Sequence, residues 1–198
     1  MNKIISVIAL LFFNLIFSQV GIEQEPPFNI KTVAFVQNGN VTIPIFRLGD
    51  SFQLEFDDLY GNEADYYYTI NQYNYDWSQP TNLAKNEYLS GMDNQRIITY
   101  ENSFNTLQLY SHYKQRFPNQ FNQITKSGNY IISVLNDENE IVFSRRFIIY
   151  EELVASGILI RRSRDFEGRA GKHNVELSIN YGNYLLQNPI ENVKVTLL

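Results

Sequence analysis

From Asn29 onward the chain alternates between apolar and polar positions. Phe52, Leu54 and Phe56 are separated by Gln53, Glu55 and Asp57, so an extended segment turns its apolar side chains to one face and its polar ones to the other. Tyr130, Ile132 and Val134 repeat the pattern. Val33–Val36 and Val41–Phe46 flank Gln37-Asn38-Gly39-Asn40, and Asn-Gly tolerates the positive φ angles of a type I′ hairpin turn. Pro44 has no N–H to give to a ladder, so its strand is expected at a sheet edge or at a kink. Further strands are predicted over 66–77, 96–100, 106–117, 130–135 and 141–150, the last two joined by the polar loop 136–140. About eight strands over roughly 120 residues predict an all-β fold, an immunoglobulin-like β-sandwich over 29–150. Trp77, the single tryptophan, falls on a middle strand where such a sandwich buries an aromatic.

Glu151-Glu152 ends the pattern, and a new one starts at Val154. Strands are predicted over 157–161, 174–181 and 193–198, with a charged, glycine-bearing loop over 163–172. Three strands cannot bury two sheet faces, so 154–198 reads as the start of a second β domain cut short. The N-terminus differs from all of this. Met1-Asn2-Lys3 precedes an apolar run from Ile4 to Phe17, broken only by Ser6 and Asn14. The run is shorter than the roughly 20 residues of a spanning helix and fits the apolar region of a secretory signal. Ser18 suits the cleavage position, so 1–18 is expected to be a signal peptide. No cysteine follows it, which excludes a lipoprotein anchor.

Composition sharpens this in two ways. There is no cysteine, so an exported chain must rely on its core, and 44% hydrophobic residues can supply one. The net charge of −5 and the lack of any basic run argue against nucleic acid as a partner. Nothing after Phe17 is apolar for long enough to insert in a membrane as a helix.

Chemistry is sparse. The two histidines, His112 and His173, fall in different predicted domains, so no zinc set can form, and His112 reads as a polar strand residue. No Gly-x-Ser-x-Gly elbow and no phosphate-binding loop is present, so neither catalytic nor cofactor-binding residues are assigned and the chain is read as a non-enzyme. Asp57, Asp58, Glu63 and Asp65 flank Gly61 without the spacing of a calcium loop; solvated strand-end acids are the expectation. Aromatics are the unusual feature. Along 66–77, Tyr66, Tyr68 and Ile70 share one face while Tyr67, Tyr73, Tyr75 and Trp77 share the other. One account makes both faces core, the second lying under the loop 78–95. The other makes Tyr67, Tyr73 and Tyr75 a contact surface for a partner, since exposed Tyr and Trp dominate interface energetics.

Several blocks carry a resemblance. Asp65-Tyr66-Tyr67-Tyr68-Thr69-Ile70, Tyr75-Asp76-Trp77-Ser78, Glu87 to Ile97, Tyr100 to Thr106, Val142 to Phe147 and Ile160 to Asp165 together resemble the type IX secretion system plug protein. The Asn- and Tyr-rich composition is similar to secreted proteins of the Bacteroidetes. The resemblance implies a soluble periplasmic protein built of β domains that docks at the periplasmic mouth of an outer-membrane translocon barrel. It would seal the barrel by steric occlusion, without cofactor or catalysis. This chain stops inside what resembles that family's second domain. The Tyr-rich strand is also similar to Ig-like sensor domains, which keeps an exported carbohydrate-binding or sensor module as the alternative.

Overall fold

The computed structural model describes residues 23–162, 173–182 and 185–195. The expected signal peptide at 1–18 and the charged loop at 163–172 lie outside the described residues. The chain divides into two units, one up to Tyr150 and one from Glu151.

In the first unit the strands are β1 (Ile30–Gln37), β2 (Asn40–Val41), β3 (Ile45–Arg47), β4 (Phe52–Asp58) and β5 (Tyr67–Tyr73). A one-turn helix α1 (Lys85–Tyr88) leads into β6 (Leu89–Gly91), β7 (Gln95–Arg96) and β8 (Thr99–Asn102). Then come β9 (Ser111–Phe117), β10 (Asn122–Ile124), β11 (Gly128–Leu135) and β12 (Ile141–Tyr150). Two five-stranded sheets result, ordered β2-β1-β4-β9-β8 and β3-β12-β11-β5-β7, with β10-β6 as a small third pair. The predicted sandwich is present.

Alternation sets which side chains enter the core. On β4, Phe52, Leu54 and Phe56 are buried, and on β5 Tyr68 and Ile70 are, with Tyr66 buried just before the strand. Phe35, Phe52 and Phe117 of the first sheet meet Phe46 and Phe147 of the second. Phe52 is the hub, stacked on Phe46 at 4.0 Å and 5.4–5.6 Å from Phe117 and Phe147. Such ring pairs add about 0.5–1.5 kcal/mol each beyond the area they bury.

Two of the places where the chain changes sheet divide a strand expected to be continuous. Asn38 (φ 53°) and Gly39 (φ 78°) make the expected hairpin turn, but the return strand is only β2. At Pro44, which cannot donate, the chain crosses over and continues as β3, parallel to the end of β12. Pro44 still accepts from Ile148 N–H at 2.8 Å. The predicted strand 96–100 likewise becomes β7 in one sheet and β8 in the other, with Ile97 buried at the corner. The segment 78–95, expected as a loop, holds α1 and β6, which place Tyr88 and Leu89 in the core. Gly91 is required there: its φ is +97° and a Cβ would meet Phe121 O at 2.0 Å.

The second unit contains one hairpin, β13 (Ala155–Arg162) with β14 (His173–Asn180), and a short helix α2 (Pro189–Asn192). Residues 193–195 are not extended into a strand as predicted; they follow directly from α2, whose C-cap is Val193. Among the described residues no helix is long and apolar enough to cross a membrane.

Candidate interaction surfaces

The outward row of β5 begins at Tyr67 and ends at Tyr73, both half-buried. The strand stops there, four residues short of the sequence expectation, because side chains compete for the backbone. Asn74 Nδ2 donates to Ser78 Oγ at 2.8 Å, Asp76 Oδ1 accepts from Ser78 N–H at 3.0 Å, and Trp77 N–H reaches Asn74 O at 3.2 Å. The Ser78 side chain and N–H, both hydrogen-bonded to the Asp76 carboxyl, hold its pKa below the usual carboxylate value.

Trp77 is therefore not on a central strand and not in the core. It sits in a turn at φ 64°, half-buried, with the Arg146 guanidinium 4.8 Å over its ring and the Tyr73 ring 6.4 Å away. Burial raises the Tyr73 pKa. Tyr75 is 66% exposed. The structure thus brings Tyr73 and Trp77 together. Tyr67 stands six residues up the strand, about 20 Å away at some 3.3 Å per residue. Between these aromatics the register aligns Thr69, Ser133 and Ser144 across three strands.

The acids of the β4–β5 region are not simply solvated. Asp58 is 0% exposed. It accepts from Asn29 Nδ2 at 2.8 Å, Tyr60 N–H at 3.1 Å and Tyr66 OH at 2.9 Å. Burial, and then this hydrogen bond to Asp58, push the Tyr66 pKa far up. Glu63 accepts from Tyr100 OH and Asn102 Nδ2, and Asp65 pairs with Arg96. Each carboxylate is occupied in holding loops and strands together.

His112 faces Asp57 across the β4–β9 ladder, with Nδ1 2.6 Å from Oδ1 and Nε2 3.6 Å from Glu55 Oε2. A nucleophile would have to join this pair. The adjacent Ser111 Oγ instead donates to Asn102 Oδ1 at 2.8 Å, so the serine next to the histidine takes no part in a triad. Among the described residues no three His, Asp or Glu side chains gather as metal ligands.

One feature was not found by reading the chain. The loop between β8 and β9 carries Phe104 at 93% exposure and, three residues on, a fully exposed Leu107. The strand predicted from 106 starts only at Ser111, and the run 102–111 is uncharged.

These observations define an all-β sandwich with polar groups spent on structure and aromatic or apolar side chains left at its surface. A family model described as the type 9 secretion system plug protein 1st domain matches residues 30–151, and the chain belongs to that family. A solved structure of a hypothetical protein from Parabacteroides merdae is similar at 28% identity and a TM-score of 0.75, over 85% of this chain and 43% of that one. The chain therefore spans less than half the length of that relative. An alkylpurine DNA glycosylase of Pseudomonas fluorescens bound to DNA matches at 12% identity over 61% of this chain and 30% of its own, with a TM-score of 0.31, which carries no argument. No match was found among curated proteins.

Proposed function

We propose that the chain acts in type IX protein secretion as a periplasmic, non-enzymatic component that binds and occludes the periplasmic mouth of the outer-membrane translocon barrel. The family match over 30–151 carries this reading. A plug must resist deformation, and the interlocked phenylalanine core between two five-stranded sheets suits that demand. Contact through Tyr67 and Tyr73 of the outward row of β5, and through Tyr75 in the turn after it, gives a tyrosine-bearing, mostly polar interface able to release. Export by residues 1–18 accounts for the location. Residues 154–198 open a second β domain: Ile158, Ile160, Val175 and Leu177 of the β13–β14 hairpin are exposed, and two strands alone cannot cover them. The greater length of the solved relative supports a continuation. Carbohydrate stacking draws less support, since Arg146 already covers one face of Trp77.

The test is co-purification of the tagged full-length protein with the barrel from detergent extracts of its own cell. Recovery of the barrel with the wild-type protein is expected. Recovery of the protein alone, with crosslinking also negative, would remove the reading.

A further inference from the structure

We propose that residues 23–25 form a latch on the outer edge of β12, and that an extended acidic segment of a partner protein pairs with that edge in the latch's place.

β12 has β11 along one side. On its other side only the end is paired with a strand, β3, and there Ile148 N–H is received by Pro44 O at 2.8 Å. Alternate N–H groups of a strand point to opposite sides, so those of Ser144 and Arg146 point the same way as that of Ile148. Ser144 N–H is received by Gln24 O at 3.0 Å, and Arg146 N–H by Glu23 Oε1 at 2.6 Å. Gln24 N–H returns to Ser144 Oγ at 2.7 Å, and Gln24 Nε2 donates to Ile141 O at 2.6 Å. The latch thus stands where a neighbouring strand would, and closes the edge to other chains.

It is held lightly. Gln24 and Glu25 are exposed, Glu23 is half-buried, and none of them belongs to the core, whose first residue is Ile30. Besides these hydrogen bonds there is a 3.6 Å ion pair between Arg145 and Glu25, whose side chain is 83% exposed. Such a surface pair contributes little. Behind the latch Pro26-Pro27 is a stiff, extended step. Pro27 O accepts from Ile30 N–H at 3.1 Å, so the chain is fixed from there on. Residues 23–25 can leave the edge without moving a core side chain, and local openings of this kind cost far less than global unfolding.

Charge and geometry name the occupant. The Arg145 guanidinium lies 5.9 Å over the Phe143 ring, and its Nη1 donates to Ser144 O at 2.9 Å. It is therefore in place before any carboxylate arrives. The edge offers N–H groups to an extended backbone and this positioned cation beside them. The sequence that fits is Glu-Gln-Glu, with Glu23 received by a backbone N–H and Glu25 by the guanidinium. Acidic residues two apart on an extended segment are the match. In strand addition the main-chain bonds give affinity and the side chains give the choice of partner. A second β12 edge is a poor occupant, because two Arg145-Arg146 pairs would face each other. While the latch is shut the edge inhibits itself: a rival segment must displace a tethered one, whose effective concentration is on the order of millimolar. The edge works this way whether or not the sandwich seals a translocon.

The experiment has two arms, both on the full-length protein. In amide exchange of the wild type, protection at Ser144 and Arg146 is expected at least about tenfold below that at Arg145 and Phe147, which face β11. For binding, Glu23→Lys/Gln24→Pro/Glu25→Lys disables the latch, and the probe is an acetylated peptide of residues 22–27. The peptide is expected to bind the disabled variant at least about thirtyfold more tightly than the wild type, and to restore protection at Ser144 and Arg146. Replacing both its glutamates by glutamine should weaken it at least about tenfold, and Arg145→Glu in the disabled variant should do the same. Exchange of Ser144 and Arg146 only through global unfolding overturns the inference. So does a peptide that binds neither protein, binds both equally or ignores the charge changes. Dimerisation of the disabled variant overturns it too, because a second copy would then be the occupant.

Discussion

Lys85 Nζ lies 2.6 Å from Asp93 Oδ2, and the pair takes the place of a neighbouring strand at Ile70, between β7 and the backbone of Pro80 and Thr81 that pairs with the end of β5. β7 covers only Tyr67 and Tyr68. Beyond it, Ile70 N–H is received by Asp93 Oδ1 at 3.2 Å, and Ile70 O accepts from Lys85 Nζ at 2.6 Å. The side chains thus close a sheet edge that would otherwise offer unpaired backbone to another chain. Asp93→Ala should cost about 1–3 kcal/mol, because it strands both the Ile70 N–H and the Lys85 ammonium. Urea denaturation would show this as a lower midpoint with an unchanged slope.

The buried Asp58 gathers three donors, Asn29 just before β1 and Tyr60 and Tyr66 of the β4–β5 connection. Asp58→Ala leaves all three facing a cavity and is expected to cost about 3–5 kcal/mol. Tyr66→Phe removes one donor and is expected to cost about 1–3 kcal/mol. Equilibrium unfolding of the two variants checks the order; equal losses would mean the carboxylate does not organise the site.

Alkali should unfold the protein steeply. Burial raises the pKa of Tyr66 and Tyr130, and raises that of Tyr113 to about 12. The unfolded chain ionises these tyrosines near pH 10 while the folded chain keeps their protons, so stability is full below pH 10 and falls above it. Each retained proton contributes a slope of about −1.4 kcal/mol per pH unit until its folded pKa is reached. Denaturation at pH 9, 10 and 11 measures the slope, and Tyr113→Phe should make it shallower.

Among the aromatics, position decides cost. Phe52→Ala removes the hub of the core and should cost about 3–5 kcal/mol. Trp77→Ala removes a half-buried ring stacked under Arg146 and should cost only about 1–2 kcal/mol. Tyr75→Ala should leave the melting temperature within about 2 °C. Thermal melts of the three rank them; a Trp77 loss equal to that of Phe52 would restore tryptophan to the core.

Gly91→Ala tests the tightest turn. Positive φ and a Cβ only 2.0 Å from Phe121 O force the backbone of the β6–β10 pair apart. A loss of at least about 2 kcal/mol is expected. Denaturant titration checks it, with Gly39→Ala as the comparison where nothing lies within 4 Å of the new methyl.

By itself the sequence determined the fold class, because a period of two needs no distant partner to state which side chains share a face. Phe52, Leu54 and Phe56, or Tyr68 and Ile70, could enter one core only as strands, and Asn38-Gly39 could only turn. It also carried the family, in blocks long enough to be specific. Tertiary structure decided where strands stop and which sheet they join. Pro44 announced a kink but not a change of sheet, since the partner of β3 is β12, a hundred residues away. Trp77 left the core because Asn74 and Asp76 offered the chain a local turn in place of the ladder, and that competition depends on local geometry. Asp58 looked like any strand-end acid; only folding brought Asn29, Tyr60 and Tyr66 around it. Exposure of Phe104 and Leu107 was likewise decided in three dimensions, because hydrophobicity states what a side chain prefers, whereas the bonds from Ser103 to Tyr110 and from Gln108 to Leu59 state where its loop is held.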